Sequence, residues 1–518
     1  MKFSLPHALS GFAKAHLLFL CIFALIYPFI PVEQLFARDP YTGQTLTFLR
    51  SHTTRAPFHE LWALDGFRDF QGAGRLIPGI LLVTFLVVYY LKNESKRLER
   101  WLPLIIAPLA FAAFYSFRVS IEKNALFGDG PRLPIEVPQG LVFAAEVLTM
   151  HCFDNVYRFT HWLWGFDGAQ AIQFTSCLFG GLFVSAIIVL AQTLTDLRPL
   201  RALFVVGAIG AGYGILFLGY IETTVVETTA MAWFFAAAAK LLFHGAPQIP
   251  MDADLAPNAN THSTPRSLPS LPAWSKHRET IWLIVFTLAY SACLLAHAAG
   301  LVMSAAYLLT LIFFYFSSAA FHAGRHWLGY VVKNAVLFIV LVLIPVYELV
   351  LAPFFFRGVY GNTTGGGDGI MFVPISYDTP PSVFTHYKMF SWLHAVDIFN
   401  SMACSAPLVF LAPPAAWFIL REARQRSAWR DPWLQFLLVI LCAGACALAV
   451  PLIWQFDFGM WGDWNLAATY LFPLHMFVWT AILHLYHARR MEGALLSPGL
   501  PLIACQVVLA LGMLCQLY

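Results

Sequence analysis

Asp129 stands between two glycines, in Phe127-Gly128-Asp129-Gly130-Pro131, directly after an apolar run. Flanking glycines free the backbone and leave the carboxylate uncovered. That suits a general base for an acceptor hydroxyl, or one ligand of a metal; the plainer alternative is a polar turn. Glu222 closes Gly219-Tyr220-Ile221-Glu222, and Glu227 follows five residues later. A continuous helix would not put this pair on one face. Charges at the edge of an apolar run usually have a partner or a task, so Glu222 is a candidate ligand for substrate, whereas Glu227 could simply cap or line a bundle. His394, Asp397 and Asn400 recur every third residue, on one stripe of a helix. An imidazole so placed can meet a phosphate, or the trio can hold a helix start; one His–Asp pair is an incomplete metal site.

His297 lies alone between two apolar runs, either a substrate ligand or a structural imidazole. Arg357 and Lys388 are the only basic residues in 353–401. Either suits a phosphate, arginine through a bidentate fork and lysine as a point charge; otherwise each is a solvated charge near headgroups. The run Gly365-Gly366-Gly367-Asp368-Gly369 lacks the Gly-Lys-Ser/Thr ending of a P-loop. Asp463, in Gly462-Asp463-Trp464-Asn465, enters an apolar run beside a tryptophan of the interfacial kind.

The chain that must position these groups has 518 residues, 59% hydrophobic and 11% charged, where soluble domains run near ~25% charged. One soluble core cannot hide so much apolar surface, so the bilayer is the expected solvent. A net charge of +3, with no basic run or aromatic–basic interleaving, argues against a nucleic-acid partner. The nine cysteines are scattered without a CxxC pair, and Cys442 and Cys446 suit helix packing. Lys2 and Lys14 flank the start of an apolar run from Leu17 to Ile30. Leu35-Phe36-Ala37 makes a poor cleavage site, so this run reads as a retained first span.

At about 20 apolar residues per crossing, the sequence predicts about thirteen transmembrane helices. They centre on 16–32, 76–91, 101–117, 172–194, 202–219, 225–243, 280–296, 299–316, 332–352, 402–420, 434–454, 466–486 and 499–517. With a cytoplasmic N-terminus, the inner loops collect most of the 31 basic residues, among them Lys92, Lys96, Arg97, Arg100, Arg198, Arg201, Lys240, Arg421, Arg424, Arg489 and Arg490. This is the positive-inside pattern. Residues 245–279, rich in Pro, Ser, Asn and Thr, read as a flexible cytoplasmic linker. Residues 33–75, 118–171 and 353–401 become long outer loops, and 118–171 contains an apolar stretch, Leu141 to Val147, suited to an interfacial helix. Nearly every polar oddity, including Glu146, His151, Asp154 and His161 of the second outer loop, then falls on one side. No internal repeat of the kind common in transporters is visible. The expectation is a single all-α polytopic transmembrane domain over 1–518.

In order and sidedness, Phe127-Gly128-Asp129-Gly130, Gly219-Tyr220-Ile221-Glu222, His297-Ala298-Ala299-Gly300, His394 to Asn400 and Gly462-Asp463-Trp464-Asn465 resemble the GT-C superfamily, through a bacterial branch of it. Its members are polytopic glycosyltransferases that use polyprenyl-phosphate sugars. The resemblance implies a GT-C-like fold, a multi-pass protein of a bacterial inner membrane active in the cell envelope, and a lipid-linked sugar donor and membrane lipids as partners. It implies Asp129 as the base of an inverting transfer. Glu222, His297, Arg357, Lys388, His394, Asp397 and Asp463 would be substrate ligands, the basic or His group of the late loop stabilising the departing phosphate. No metal set is assigned, though a divalent ion would be compatible. Two departures stand out. Asp129 follows the third span rather than the first, which makes Asp39, Asp65 and Asp69 rivals; and it lacks the adjacent second acid of many members.

The main alternative is a transporter or flippase for a lipid-linked or amphiphilic substrate, whose mark would be polar residues at mid-membrane in several helices. An assembly protein using its outer loops for protein contacts is a third reading. A membrane acyltransferase would want a His–acid pair on the cytoplasmic side, which the inner loops lack.

Overall fold

The computed structural model describes residues 96–119, 121, 130–143, 145–245, 273–317, 339, 343, 389–390, 392–425, 431–453, 464–488 and 496–517. Among them every regular element is helical. The helices are α1 (Lys96–Ser116), α2 (Val147–Trp164), α3 (Gly168–Leu194), α4 (Arg198–Ile209), α5 (Thr224–Gly245), α6 (Ala273–Ala296) and α7 (Ser304–Ser317). After the described residues resume come α8 (Trp392–Ser405), α9 (Ala412–Gln425), α10 (Pro432–Ile453), α11 (Trp464–Ala488) and α12 (Leu496–Leu517). Among the described residues, six stretches are long and apolar enough to cross a bilayer: Gly168–Leu194, Thr224–Phe243, Glu279–Ala296, Ala299–Phe316, Pro432–Ile453 and Trp464–Tyr486. The protein is therefore an all-α, multi-pass membrane protein. The expected spans at 16–32 and 76–91, and nearly all of 332–352, lie outside the described residues.

The centre of the bundle is α11, whose spanning stretch is 94% buried, with α5 beside it at 89%, whereas Ala299–Phe316 at 39% presents most of its surface outward. α5 packs along α3 and α6, α11 along α10, and α1 along α3. On α3, Gly180 and Gly181 let the helix close onto α1, where added methyl groups would meet Phe114 and the Ala107 carbonyl. Small residues at a crossing are how membrane helices approach without a hydrophobic driving force. The start of α3 is fixed by a capping box: Asp167 Oδ1 accepts from the Gln170 amide, and Gln170 Oε1 accepts from the Asp167 amide.

Four expectations about elements change. Residues 141–143 and 145–146 form no helix; the helix of that loop begins at Val147, and its exposed large apolar side chains are Phe159, Trp162, Leu163 and Trp164. The apolar run at 141–147 is a lead-in whose valines are buried. The span expected at 202–219 breaks after Ile209 into a 3-10 segment, Gly212–Phe217, because Gly210 and Gly212 carry no side chain to hold a helix there. Gly212 also sits against the Cys404 carbonyl, where a Cβ would not fit. The span expected at 402–420 is two helices bent by 111°. Pro407 accounts for the bend: it lacks an amide proton, and Ala406 before it leaves the helical region (φ −156°, ψ 67°), whereas Pro413 and Pro414 fall in the first turn of α9, where the missing amide protons have no intrahelical partner to lose. Finally, α6 starts at Ala273, inside the stretch expected to be linker.

Candidate functional site

The turn between the 3-10 segment and α5 carries Glu222. Gly219 adopts φ 74°, a left-handed conformation that glycine takes at no steric cost. The turn is then pinned from three sides. The Val119 amide donates to the Leu218 carbonyl (2.8 Å), Ser176 Oγ of α3 to the Tyr220 carbonyl (2.8 Å), and Trp464 Nε1 of α11 to Tyr220 Oη (2.9 Å). Glu222 and Thr223 are consequently buried at the head of α5.

Thr223 Oγ1 donates to Glu146 Oε1 at 2.7 Å. Glu146 holds the N-cap position of α2, yet its side chain makes no capping bond to that helix. A side-chain oxygen there ordinarily accepts from an amide of the first turn; this one turns toward other elements instead. His297 Nε2, at the end of α6, lies 3.6 Å from the same oxygen. The two elements are also joined where Thr149 Oγ1 of α2 donates to the Ala296 carbonyl at 3.0 Å.

His297 is itself fixed. Its Nδ1 accepts from the Ala299 amide at 3.1 Å, so in the neutral ring the proton belongs on Nε2, the nitrogen facing Glu146. Burial pushes this imidazole down to about 4, which keeps it neutral at physiological pH. Tyr470 Oη of α11 lies 3.2 Å from the same Nδ1 and donates to Glu227 Oε1 at 2.8 Å. Glu227 sits in the first turn of α5 with no exposed surface, and its Oε2 has no hydrogen-bond partner among the described residues. Glu146, Thr223, Glu227, His297 and Tyr470 thus form one cluster at one end of the bundle, contributed by α2, α5, α6 and α11.

The structure places the expected site residues as follows. His297 and the Glu222 turn come together at this cluster, through Thr223. Glu227, expected as a cap or lining residue, belongs to the cluster itself. His394, Asp397 and Asn400 share a buried face of α8, which packs on α11 and α12. His394 Nδ1 lies 2.7 Å from the Met389 carbonyl, and the ring also meets the carbonyl of Pro451, near the end of α10. Asp129, Arg357, Lys388 and Asp463 lie outside the described residues. The chain resumes directly after Asp129 with a buried Gly130 and a helical turn, Leu133–Glu136, packed on the start of α3. Gly168 there has no room for a side chain beside the Pro134 carbonyl. Among the described residues no group of three His, Cys, Asp or Glu side chains is arranged to hold a metal.

Two partners went unseen in the sequence. Tyr470 lies inside an apolar run and Thr223 is an ordinary threonine; neither type is unusual where it stands. A third residue, Arg118, is an exposed cation beside this turn, its guanidinium 4.6 Å from the Tyr115 ring centroid and its Cβ close against Gly219.

No family model matches the chain, and no curated protein does. Among solved structures, the chain is similar to the Archaeoglobus fulgidus oligosaccharyltransferase tethered with an acceptor peptide, with a TM-score of 0.41 and 11% identity over 80% of this chain and 55% of that one. It is also similar to the archaeal oligosaccharyltransferase AglB from Archaeoglobus fulgidus in complex with an inhibitory peptide and a dolichol-phosphate, with a TM-score of 0.38 and 13% identity over 85% of this chain and 56% of that one. The chain spans little more than half the length of these solved chains.

Proposed function

We propose that the protein is a GT-C-like membrane glycosyltransferase of a bacterial inner membrane, moving a sugar from a polyprenyl-phosphate carrier to an acceptor hydroxyl at the outer face. The observation that carries the reading is the gathering of two carboxylates, an imidazole and a phenol from four separate elements at one bundle end. In this reading the segments expected as outer loops, 118–171 and 353–401, belong to that face, and residues 245–279 and the N-terminus to the cytoplasmic one.

In this reading Asp129 takes the proton of the acceptor hydroxyl. The acceptor oxygen attacks the anomeric carbon from the face opposite the phosphate, the carbon–oxygen bond to phosphate breaks, and the configuration inverts. Cations stabilise the charge that develops on the departing lipid phosphate; Arg118, Arg357 and Lys388 are the candidates, with His394 and Asp397 on the same side and Asp463 at the entrance of α11. Glu222 and His297 line the sugar side. A phosphate leaves with little need of protonation, so a single base suffices where a glycosidase uses two carboxyl groups. A divalent ion bound through Asp129 and a second outer acid remains compatible with this scheme.

The transporter reading also has one observation in its favour, a buried polar pair in the membrane interior, where Gln506 Nε2 of α12 lies 3.0 Å from His475 Nε2 of α11. That pair joins two helices, as a pin between them would, with His475 Nδ1 and Gln506 Oε1 left without a partner among the described residues. The test of the enzyme reading is Asp129→Asn in proteoliposomes supplied with a polyprenyl-phosphate sugar. Transfer should stop while the amount of inserted protein stays as in the wild type; retained transfer would remove Asp129 as the base. Efflux of the intact lipid-linked sugar without any transfer would favour the transporter.

A further inference from the structure

α2 carries one outward stripe whose character changes part-way along the helix. His151, Asn155, Phe159 and Trp162 recur every third or fourth residue, which puts them on one face, and all four are exposed. The first two are polar. The last two are large aromatic side chains, Trp162 being 79% exposed. Leu163 and Trp164 beside them are exposed as well, so α2 ends in a bare apolar patch. Its opposite face, from Val147 to Thr160, is buried against the bundle. A helix facing water along its whole length would not carry such a patch, and one facing lipid throughout would not show His151 and Asn155 to it. The stripe passes from one solvent to another.

Chain connectivity decides what the second solvent is. A stretch able to cross the bilayer begins at Gly168, and only Gly165, Phe166 and Asp167 separate it from α2. Gly165 turns the chain at φ 72°, and His161 Nδ1 lies 2.8 Å from the Phe166 carbonyl across that turn. The end of α2 is thereby held at the level where the span enters the membrane. The Trp164 ring packs on Phe174 of α3, with centroids 5.7 Å apart. Phe174 heads a stripe that continues through the exposed Leu178 and Leu182 down the span. The patch is therefore continuous with an outward apolar surface of a spanning helix, and tryptophan is a side chain favoured where lipid meets water. The other end of α2 is fixed to the bundle, where Thr149 Oγ1 donates to the Ala296 carbonyl and Thr223 Oγ1 to Glu146 Oε1. Between the two ends Arg158 pairs with Asp154 at 2.9 Å, and a long arginine side chain can lie over an apolar patch with its charge at headgroup level.

We propose that the lipid–water boundary at this end of the bundle crosses α2 between Asn155 and Phe159, and that Phe159, Trp162, Leu163 and Trp164 are seated in the bilayer as an anchor whose partner is the phospholipid interface. One end of α2 then rests in lipid while the other delivers Glu146 to the cluster around His297. The inference is independent of the reaction the protein carries out.

The test uses the full-length protein in phosphatidylcholine nanodiscs, carrying the photoreactive p-benzoylphenylalanine in place of Trp162 or, separately, in place of His151. After irradiation, mass spectrometry of the intact protein should show a phosphatidylcholine adduct for the form substituted at 162 and none for the form substituted at 151. A crosslink from 162 to another part of this chain, or to a second copy of it, overturns the proposal in favour of a protein occupant. The absence of any adduct at 162 leaves that side chain in water and overturns it too. Lipid adducts in equal yield at both positions overturn the change of solvent along the stripe. Should the form substituted at 162 fail to insert, Leu163 takes the substitution, with the same outcomes. The wild-type protein gives a check that needs no substitution. Hydroxyl radicals generated in the aqueous phase should oxidise His151 and spare Trp162 in nanodiscs; a Trp162 oxidised as fast as His151 overturns the anchor.

Discussion

Replacing Tyr470 by phenylalanine removes one buried oxygen from the cluster and nothing else. The ring is fully buried and phenylalanine fills the same space, so no cavity term enters. What disappears is the hydroxyl that donates to Glu227 Oε1 at 2.8 Å and lies 3.2 Å from His297 Nδ1. Glu227 is then left with neither carboxyl oxygen bonded to a described side chain, in a residue without exposed surface. Orphaning a buried polar group costs about 1–3 kcal/mol, so Tyr470→Phe should destabilise the protein by roughly 2 kcal/mol, a factor of about 30 in the folded-to-unfolded ratio. Removing both partners together, Tyr470→Phe with Glu227→Leu, should be milder than the two single losses added, with a coupling of about 1–2 kcal/mol. The assay is reversible denaturation in mixed micelles, followed by tryptophan fluorescence, on the wild type, both single variants and the double variant. A Tyr470→Phe protein within about 0.5 kcal/mol of the wild type, or a strictly additive cycle, would show that the phenol and Glu227 are not partners and would dissolve the inner half of the cluster.

His297 gives a pH dependence whose sign is set by burial. The folded imidazole titrates near about 4 and the unfolded one near ~6.5, so above ~6.5 neither state is protonated and the full stability is present. As pH falls from ~6.5 toward ~4 the unfolded chain takes up a proton that the fold refuses, and up to about 3 kcal/mol is lost. His297→Gln should flatten this slope, measured by denaturation at a series of pH values; an identical slope would place the titration elsewhere. Gly219→Ala forces an alanine into φ 74° and sets its Cβ about 2.9 Å from the Arg118 Cβ, which should cost roughly 1–3 kcal/mol and displace the Glu222–Thr223 turn. Transfer activity should fall further than melting temperature alone accounts for, and an alanine variant with wild-type turnover would show that the turn does not position the site.

The sequence by itself determined the solvent of this protein. Apolar runs of crossing length must form helices in a bilayer, because no other local structure bonds every backbone group there. That is why the runs at 172–194, 225–243, 280–296, 299–316, 434–454 and 466–486 reappear as α3, α5, α6, the segment leading through α7, α10 and α11. His297 was legible too, as a polar residue between two such runs, and Glu227 as a charge inside one. Breaks within a run were less legible. Pro407 marks the bend between α8 and α9, but nothing in a hydropathy pattern gives 111°.

Only the tertiary structure decided which polar residues meet. Glu146 and His297 are separated by five helices in sequence, and Tyr470 lies far beyond both, so their partnership depends on how α2, α5, α6 and α11 cross. A threonine and a tyrosine in apolar surroundings carry no signal of their own, since each type is ordinary in a helix. They acquire a role when packing closes around a carboxylate that must be hydrogen-bonded. Hydrophobicity is a property of a stretch and can be read locally; satisfaction of a buried charge is a property of neighbours, and neighbours are set by the fold.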